Sequence, residues 1–151
     1  MSSICDIKEY HKQRYPYLLI DSIDELELGK CVKVHKNFTE NEWLFHCSEY
    51  SDATVPFTLQ LEILSEVYLI PILALEECKG KTPIFLSADE VEAFGEIRPG
   101  DRLDIEATVE RWNRGMLSGL AKGYVNGQLV CSAKMKSVFP EIMNQYKPRN
   151  T

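Results

Sequence analysis

The stretch from Phe57 to Leu75 constrains the fold more than any other part of the chain. Apolar side chains fall nearly all round its helical projection (Phe57, Leu59, Leu61, Ile63, Leu64, Val67, Tyr68, Leu69, Ile70, Ile72, Leu73). A helix of that kind must be enclosed on most sides. Lipid does not provide the enclosure, because the longest apolar stretch, Val67 to Leu75, is far below the ~20 residues needed to span a bilayer. Thr54 is a candidate N-cap, and Pro56 falls at or near the first helical position, where its missing N–H costs nothing. Pro71 predicts a kink or an end.

The enclosing elements read as strands. Leu26 to Phe45 is mainly extended, with Cys31, Lys33, His35 and Asn37 opposing Val32, Val34, Lys36 and Phe38 until a turn at Asn37 to Asn41. Further strands are expected over Ile84–Leu86, Leu103–Arg111, Met116–Val125 and Gln128–Phe139. They are separated by Pro99-Gly100-Asp101, Asn113-Arg114-Gly115 and the hairpin signal Asn126-Gly127. Ile4 to Arg14 is a short amphipathic lead-in, Tyr15-Pro16 favours extended backbone, and Lys147–Thr151 reads as a frayed tail. These elements define an α+β fold in one domain over residues 1–151, an antiparallel sheet wrapped around one central helix. A single layer cannot cover so apolar a helix, so a dimer is expected.

The formal net charge of −6 argues against nucleic acid or an anionic membrane as the main partner. Five irregularly spaced cysteines (Cys5, Cys31, Cys47, Cys78, Cys131) offer no metal-ligand spacing and read as reduced thiols of a cytoplasmic protein. No metal or cofactor is expected.

Three phrases occur in an order that carries a resemblance: Arg14-Tyr15-Pro16-Tyr17-Leu18-Leu19-Ile20-Asp21, then Phe45-His46-Cys47-Ser48-Glu49-Tyr50-Ser51 leading to Val55-Pro56 and Glu62, then Ile97-Arg98-Pro99-Gly100-Asp101. Together they resemble the β-hydroxyacyl-[acyl carrier protein] dehydratases of the hotdog fold, over residues 11–139. The resemblance implies an acyl thioester or acyl carrier protein as partner, in fatty acid or polyketide-type metabolism. Dehydration in that family uses a His and a Glu contributed across a dimer interface. Pro56 on the family's proline puts Glu62 on the catalytic Glu and Ser48 where the His belongs. Phe57 then replaces a helix-start Gly, and Glu66 replaces a Gln. Tyr50, Val55, Pro56, Phe57 and Glu66 are the implied substrate-binding positions.

A serine hydroxyl cannot replace imidazole as a base near neutral pH, so the chain by itself is expected to dehydrate weakly or not at all. His46, two residues from Ser48, would project from the same side of an extended segment; it reads as a partly buried strand histidine, with a substitute base as the alternative. In that register it lies roughly 6–7 Å out of place. His11 and His35 carry no catalytic signal. Glu62 reads either as a buried acid or as part of a polar strip with Thr58, Ser65 and Glu66. Phe57 is expected to narrow or close an acyl tunnel. Arg98, Arg102, Arg111, Arg114, Lys122, Lys134 and Lys136 concentrate basic charge in the second half, where an acidic carrier protein could dock. The competing readings are a homodimeric dehydratase-like enzyme, the partner subunit of a heterodimer, a thioesterase in which Glu62 activates water, and a non-catalytic module holding an acyl chain or carrier.

Overall fold

The computed structural model describes residues 4–46 and 53–148. Its frame is a six-stranded antiparallel sheet with one long helix against it. In chain order the elements are α1 (Ile4–Tyr10), β1 (Ser22–Glu27), β2 (Cys31–Asn37), α2 (Trp43–His46), α3 (Phe57–Leu73), β3 (Ile84–Ala93), β4 (Arg102–Asn113), β5 (Met116–Val125), β6 (Gln128–Val138) and α4 (Pro140–Met143). The strand order is β1-β2-β4-β5-β6-β3, so β3 crosses to the far edge and pairs with β6 alone. This is the hotdog arrangement, with α3 as the central helix. Among the described residues no helix is long and apolar enough to cross a membrane.

The expected alternation in β2 is present: Val32, Val34, Lys36 and Phe38 are buried and the alternate positions are more open. The expected single strand from Leu26 to Phe45 is instead a hairpin, because β1 begins at Ser22 and a turn at Leu28–Lys30 precedes β2. Gly29 makes that turn at φ +72° and donates its N–H to the Pro71 carbonyl at 2.9 Å. The 43–46 segment is helical, which corrects the extended reading of His46. Lys36 tolerates burial through Glu42 and Asp21, the latter at 3.4 Å.

Helix α3 starts at Phe57 with Pro56 as its N-cap and no side-chain cap, so Thr54 is not the cap. Gln60 donates its amide to the Val55 carbonyl at 3.0 Å, closing the first turn from inside. The helix runs through Pro71 and ends two residues later at Leu73. Ile63, Leu64, Val67, Tyr68 and Ile70 pack on Val34, Leu103, Ile105, Leu117, Ala121, Ala133 and Met135 from the sheet. Each fully buried side chain of this size contributes ~1.5–3 kcal/mol. Gly119 makes room for Tyr68: a Cβ there would stand 2.9 Å from the Thr108 carbonyl and 3.1 Å from the Tyr68 ring. The Tyr68 hydroxyl is hydrogen-bonded to Ser137, and burial raises its pKa to about 12.

Strand β3 is an open edge, and its first residues Ile84, Phe85 and Leu86 are about half exposed. The side of α3 turned from the sheet is also only partly covered, so one chain leaves Leu61 and Leu69 half-buried.

Candidate active site

The uncovered side of α3, the end of α1 and the entry to β3 enclose a cavity of about 590 Å³. Leu61, Leu69, Leu73 and Phe85 give it an apolar wall, and Thr58, Glu62, Ser65, His11, Gln13 and Thr82 supply the polar groups. Positions 58, 61, 62, 65 and 69 share one face because three and four residues complete about one helical turn. Arg14 fixes the opposite wall. Its guanidinium donates to the carbonyls of His11 at 2.8 Å, Gln13 at 2.7 Å and Lys8 at 3.2 Å, satisfying backbone that the end of α1 leaves open.

The two helix carboxylates have different surroundings. Glu62 is exposed and opens onto the cavity, which in this chain fits the polar-strip alternative and not the buried acid. Glu66 is 1% exposed. Its Oε2 accepts the Leu19 N–H at 2.9 Å and its Oε1 has no partner. Burial is the main cause that raises the Glu66 pKa to about 8; the Leu19 N–H opposes this and the charge of Glu62 adds to it. The polar strip read from the sequence therefore divides, with Thr58, Glu62 and Ser65 toward the cavity and Glu66 inside the protein.

His11, set aside on sequence grounds, is in the cavity wall and 3% exposed, with Nε2 unpartnered. Burial lowers its pKa to about 4, against the opposing effect of hydrogen bonds to the Glu66 backbone and the Gln13 side chain. The sequence signal for it was weak: a lone histidine just outside the Arg14 to Asp21 phrase.

Ser48 and Tyr50 lie outside the described residues. His46 is exposed at the end of α2 and is not part of the cavity wall. Val55 is buried and donates its N–H to the Ile97 carbonyl at 2.8 Å. This ties the residues preceding α3 to the segment before Pro99-Gly100-Asp101. In that turn Gly100 takes φ +95°, and its N–H meets the Phe38 carbonyl at 2.7 Å. Pro56 is exposed, and Phe57 is 43% exposed and outside the cavity wall of this chain. The basic residues do not form one patch: Arg102 pairs with Asp104 and Asp24, Lys134 with Glu90 and Lys136 with Asp89. Arg111, Arg114 and Lys136 share a separate surface pocket. Among the described residues no group of three His, Cys, Asp or Glu side chains is placed to hold a metal ion.

Solved structures with this fold include the dehydratase heterocomplex ApeI:P from Xenorhabdus doucetiae, with a TM-score of 0.73 at 14% identity covering 93% of this chain and 97% of that one. A hypothetical thioesterase with coenzyme A from Streptococcus pneumoniae TIGR4 has a TM-score of 0.61 at 13% identity, covering 78% and 83%. These likenesses define the hotdog fold. Sequence goes further: residues 12–134 match the FabA-like domain, and the chain belongs to that family, among the FabZ-like 3-hydroxyacyl-[acyl-carrier-protein] dehydratases. The relative from Clostridioides difficile (strain 630), a 3-hydroxyacyl-[acyl-carrier-protein] dehydratase FabZ, is 38% identical over 137 residues, 89% of this chain and 95% of that protein. The FabZ of Bacillus velezensis is 36% identical over 131 residues, covering 85% and 92%.

Proposed function

We propose that this chain holds a (3R)-hydroxyacyl group, carried on acyl carrier protein in the cytoplasm, in the cavity beside Glu62. The carrying observation is the pairing of one solvent-open carboxylate with an apolar wall. Glu62 serves the β-hydroxyl. Elimination needs a base to take the α-proton, the C–H electrons to form the double bond, and the C–O bond to break as Glu62 protonates the departing hydroxyl. Glu62 fills the second role, and Ser48 cannot fill the first. The chain alone is therefore a weak dehydratase, and it pairs through the β3 edge with a second chain. A copy of itself gives a homodimer of low activity. A dehydratase-like subunit carrying the histidine would complete one site with Glu62.

The test is steady-state dehydration of a β-hydroxyacyl carrier substrate by the chain alone and with a histidine-bearing homologue, each with Glu62→Gln. Full turnover by the chain alone, unchanged by Glu62→Gln, refutes this reading. The exposure of Glu62 favours a second reading, in which the same carboxylate activates water to hydrolyse a thioester. Thiol release in the same assay separates the two.

A further inference from the structure

The free edge of β3 has a near-palindromic backbone and a lopsided set of side chains. Register with β6 sets Phe85, Ala88 and Ala93 opposite Ser137, Met135 and Cys131, which are buried beneath α3, so these three residues share the inner face. Val91 packs on the core beside them. Ile84, Ser87, Asp89 and Glu92 stand opposite Val138, Lys136, Lys134 and Ser132 and share the outer face. The register breaks between Phe85 and Ser87 and again between Asp89 and Glu92. Each break adds one residue, Leu86 in the first and Glu90, at φ +49°, in the second. Outward from Ala88, both arms of the strand therefore run outer, bulge, inner, outer.

Two β3 edges related by a two-fold axis pair antiparallel, and facing residues must lie on the same face. An axis at Ala88 satisfies this over residues 84–92. On the inner face it sets Phe85 against Val91 of the second copy, apolar against apolar. The outer face does not match itself: Ile84 meets Glu92 of the second copy, Leu86 meets Glu90, and the symmetry repeats each mismatch. Asp89 and Glu90 have Lys136 at 3.6 Å and Lys134 at 3.3 Å on β6. Glu92 is exposed, and among the described residues no cation pairs with it. Moving the axis toward Ile84 shortens the ladder and leaves the acids outside it. Moving it toward Glu92 sets the acids of the two copies against each other, which opposes pairing.

We propose that the β3 edge is built for a non-identical partner: a dehydratase-like chain whose own edge strand carries Lys or Arg opposite Glu90 and Glu92 and apolar residues opposite Ile84 and Leu86. In that mixed pair cations meet the acidic end of β3 and carbon covers its apolar start, while the inner packing of Phe85 is kept. This selectivity rests on the β3 pairing of the functional reading and decides between its two partners. A self-pair forms when the chain is alone and gives way to the mixed pair.

A second copy of this chain serves as the surrogate partner. Ile84→Lys combined with Glu92→Val supplies a cation opposite Glu92 and an apolar group opposite Ile84, both at exposed edge positions. Its self-pair is again mismatched, the new lysine against the new valine, whereas its pair with the wild type is matched at both positions. The two proteins are mixed, equilibrated and read by native mass spectrometry. The mixed dimer should exceed its statistical share by about tenfold, since four facing pairs improve together when two self-pairs exchange into two mixed pairs. Ile84→Lys alone should tighten the self-pair about fivefold in Kd on dilution, although charge on an open edge ordinarily weakens pairing.

A mixed dimer at or below its statistical share, or an Ile84→Lys self-pair no tighter than the wild type, overturns the selectivity. Phe85→Lys combined with Leu86→Glu separates that failure from failure of the functional reading. If this variant still dimerises, the chains meet elsewhere, and both the selectivity and the β3 pairing fall. If it dissociates while the mixed dimer stays at its statistical share, the selectivity alone falls. No substrate enters the measurement, so the outcome is independent of catalytic activity.

Discussion

Replacing Glu66 by Gln should stabilise the protein at alkaline pH and change little in acid. The folded carboxyl holds its proton to about pH 8, whereas the ordinary value is 4.5. Between those limits the folded state binds more protons than the unfolded state, so stability falls as pH rises from 4.5 to 8. Each pH unit of separation is worth ~1.4 kcal/mol, which amounts to a loss of about 3 kcal/mol by pH 7 and about 5 kcal/mol above pH 9. Glutamine keeps the carbonyl that accepts from Leu19 and cannot ionise.

His11 has the opposite dependence. Its folded value of about 4 lies below the ordinary 6.5, so the unfolded state takes the proton first. Stability is lost as pH falls through that window, by about 3 kcal/mol. In the wild type the two dependences nearly cancel between pH 4.5 and 6.5, and the visible loss is confined to about pH 6.5–8. Glu66→Gln should remove the alkaline loss and expose the His11 loss below pH 6.5; adding His11→Asn should flatten both. Urea unfolding at pH 5, 7 and 9 measures this. A Glu66→Gln increment that stays the same at all three pH values would refute the argument.

Tyr68→Phe should cost about 1–2 kcal/mol by leaving Ser137 unpartnered, measured by denaturant midpoint at constant slope. Gly119→Val should cost several times more, about 3 kcal/mol or above, because its Cβ meets the Thr108 backbone as well as the Tyr68 ring; loss of expression in the folded form would agree. Light scattering should report a dimer for the wild type and a monomer for Phe85→Lys combined with Leu86→Glu, since charge on an open edge opposes strand pairing.

Much of the architecture was legible because it rests on local rules. The all-round apolarity of Phe57–Leu73, the alternation of Val32 and Val34, and Asn126-Gly127, which take φ values of +50° and +77°, each specify an element without knowledge of distant residues. The motif order identified the family for a similar reason: Arg14, Gly100 and Val55 satisfy backbone groups at fixed places in this fold. The extended reading of His46 failed because a 4-residue helix has too little periodicity to register. Burial of individual carboxylates was not legible, since Glu62 and Glu66 are one helical turn apart and sequence spacing treats them alike. Only the packing of the His11 to Leu19 segment on α3 places Glu66 beneath a donor and out of water while leaving Glu62 open. Desolvation depends on what covers a side chain from elsewhere in the chain. The sequence therefore determined which residues enclose the helix, and the tertiary structure decided which of its two acids is kept out of water and therefore protonated.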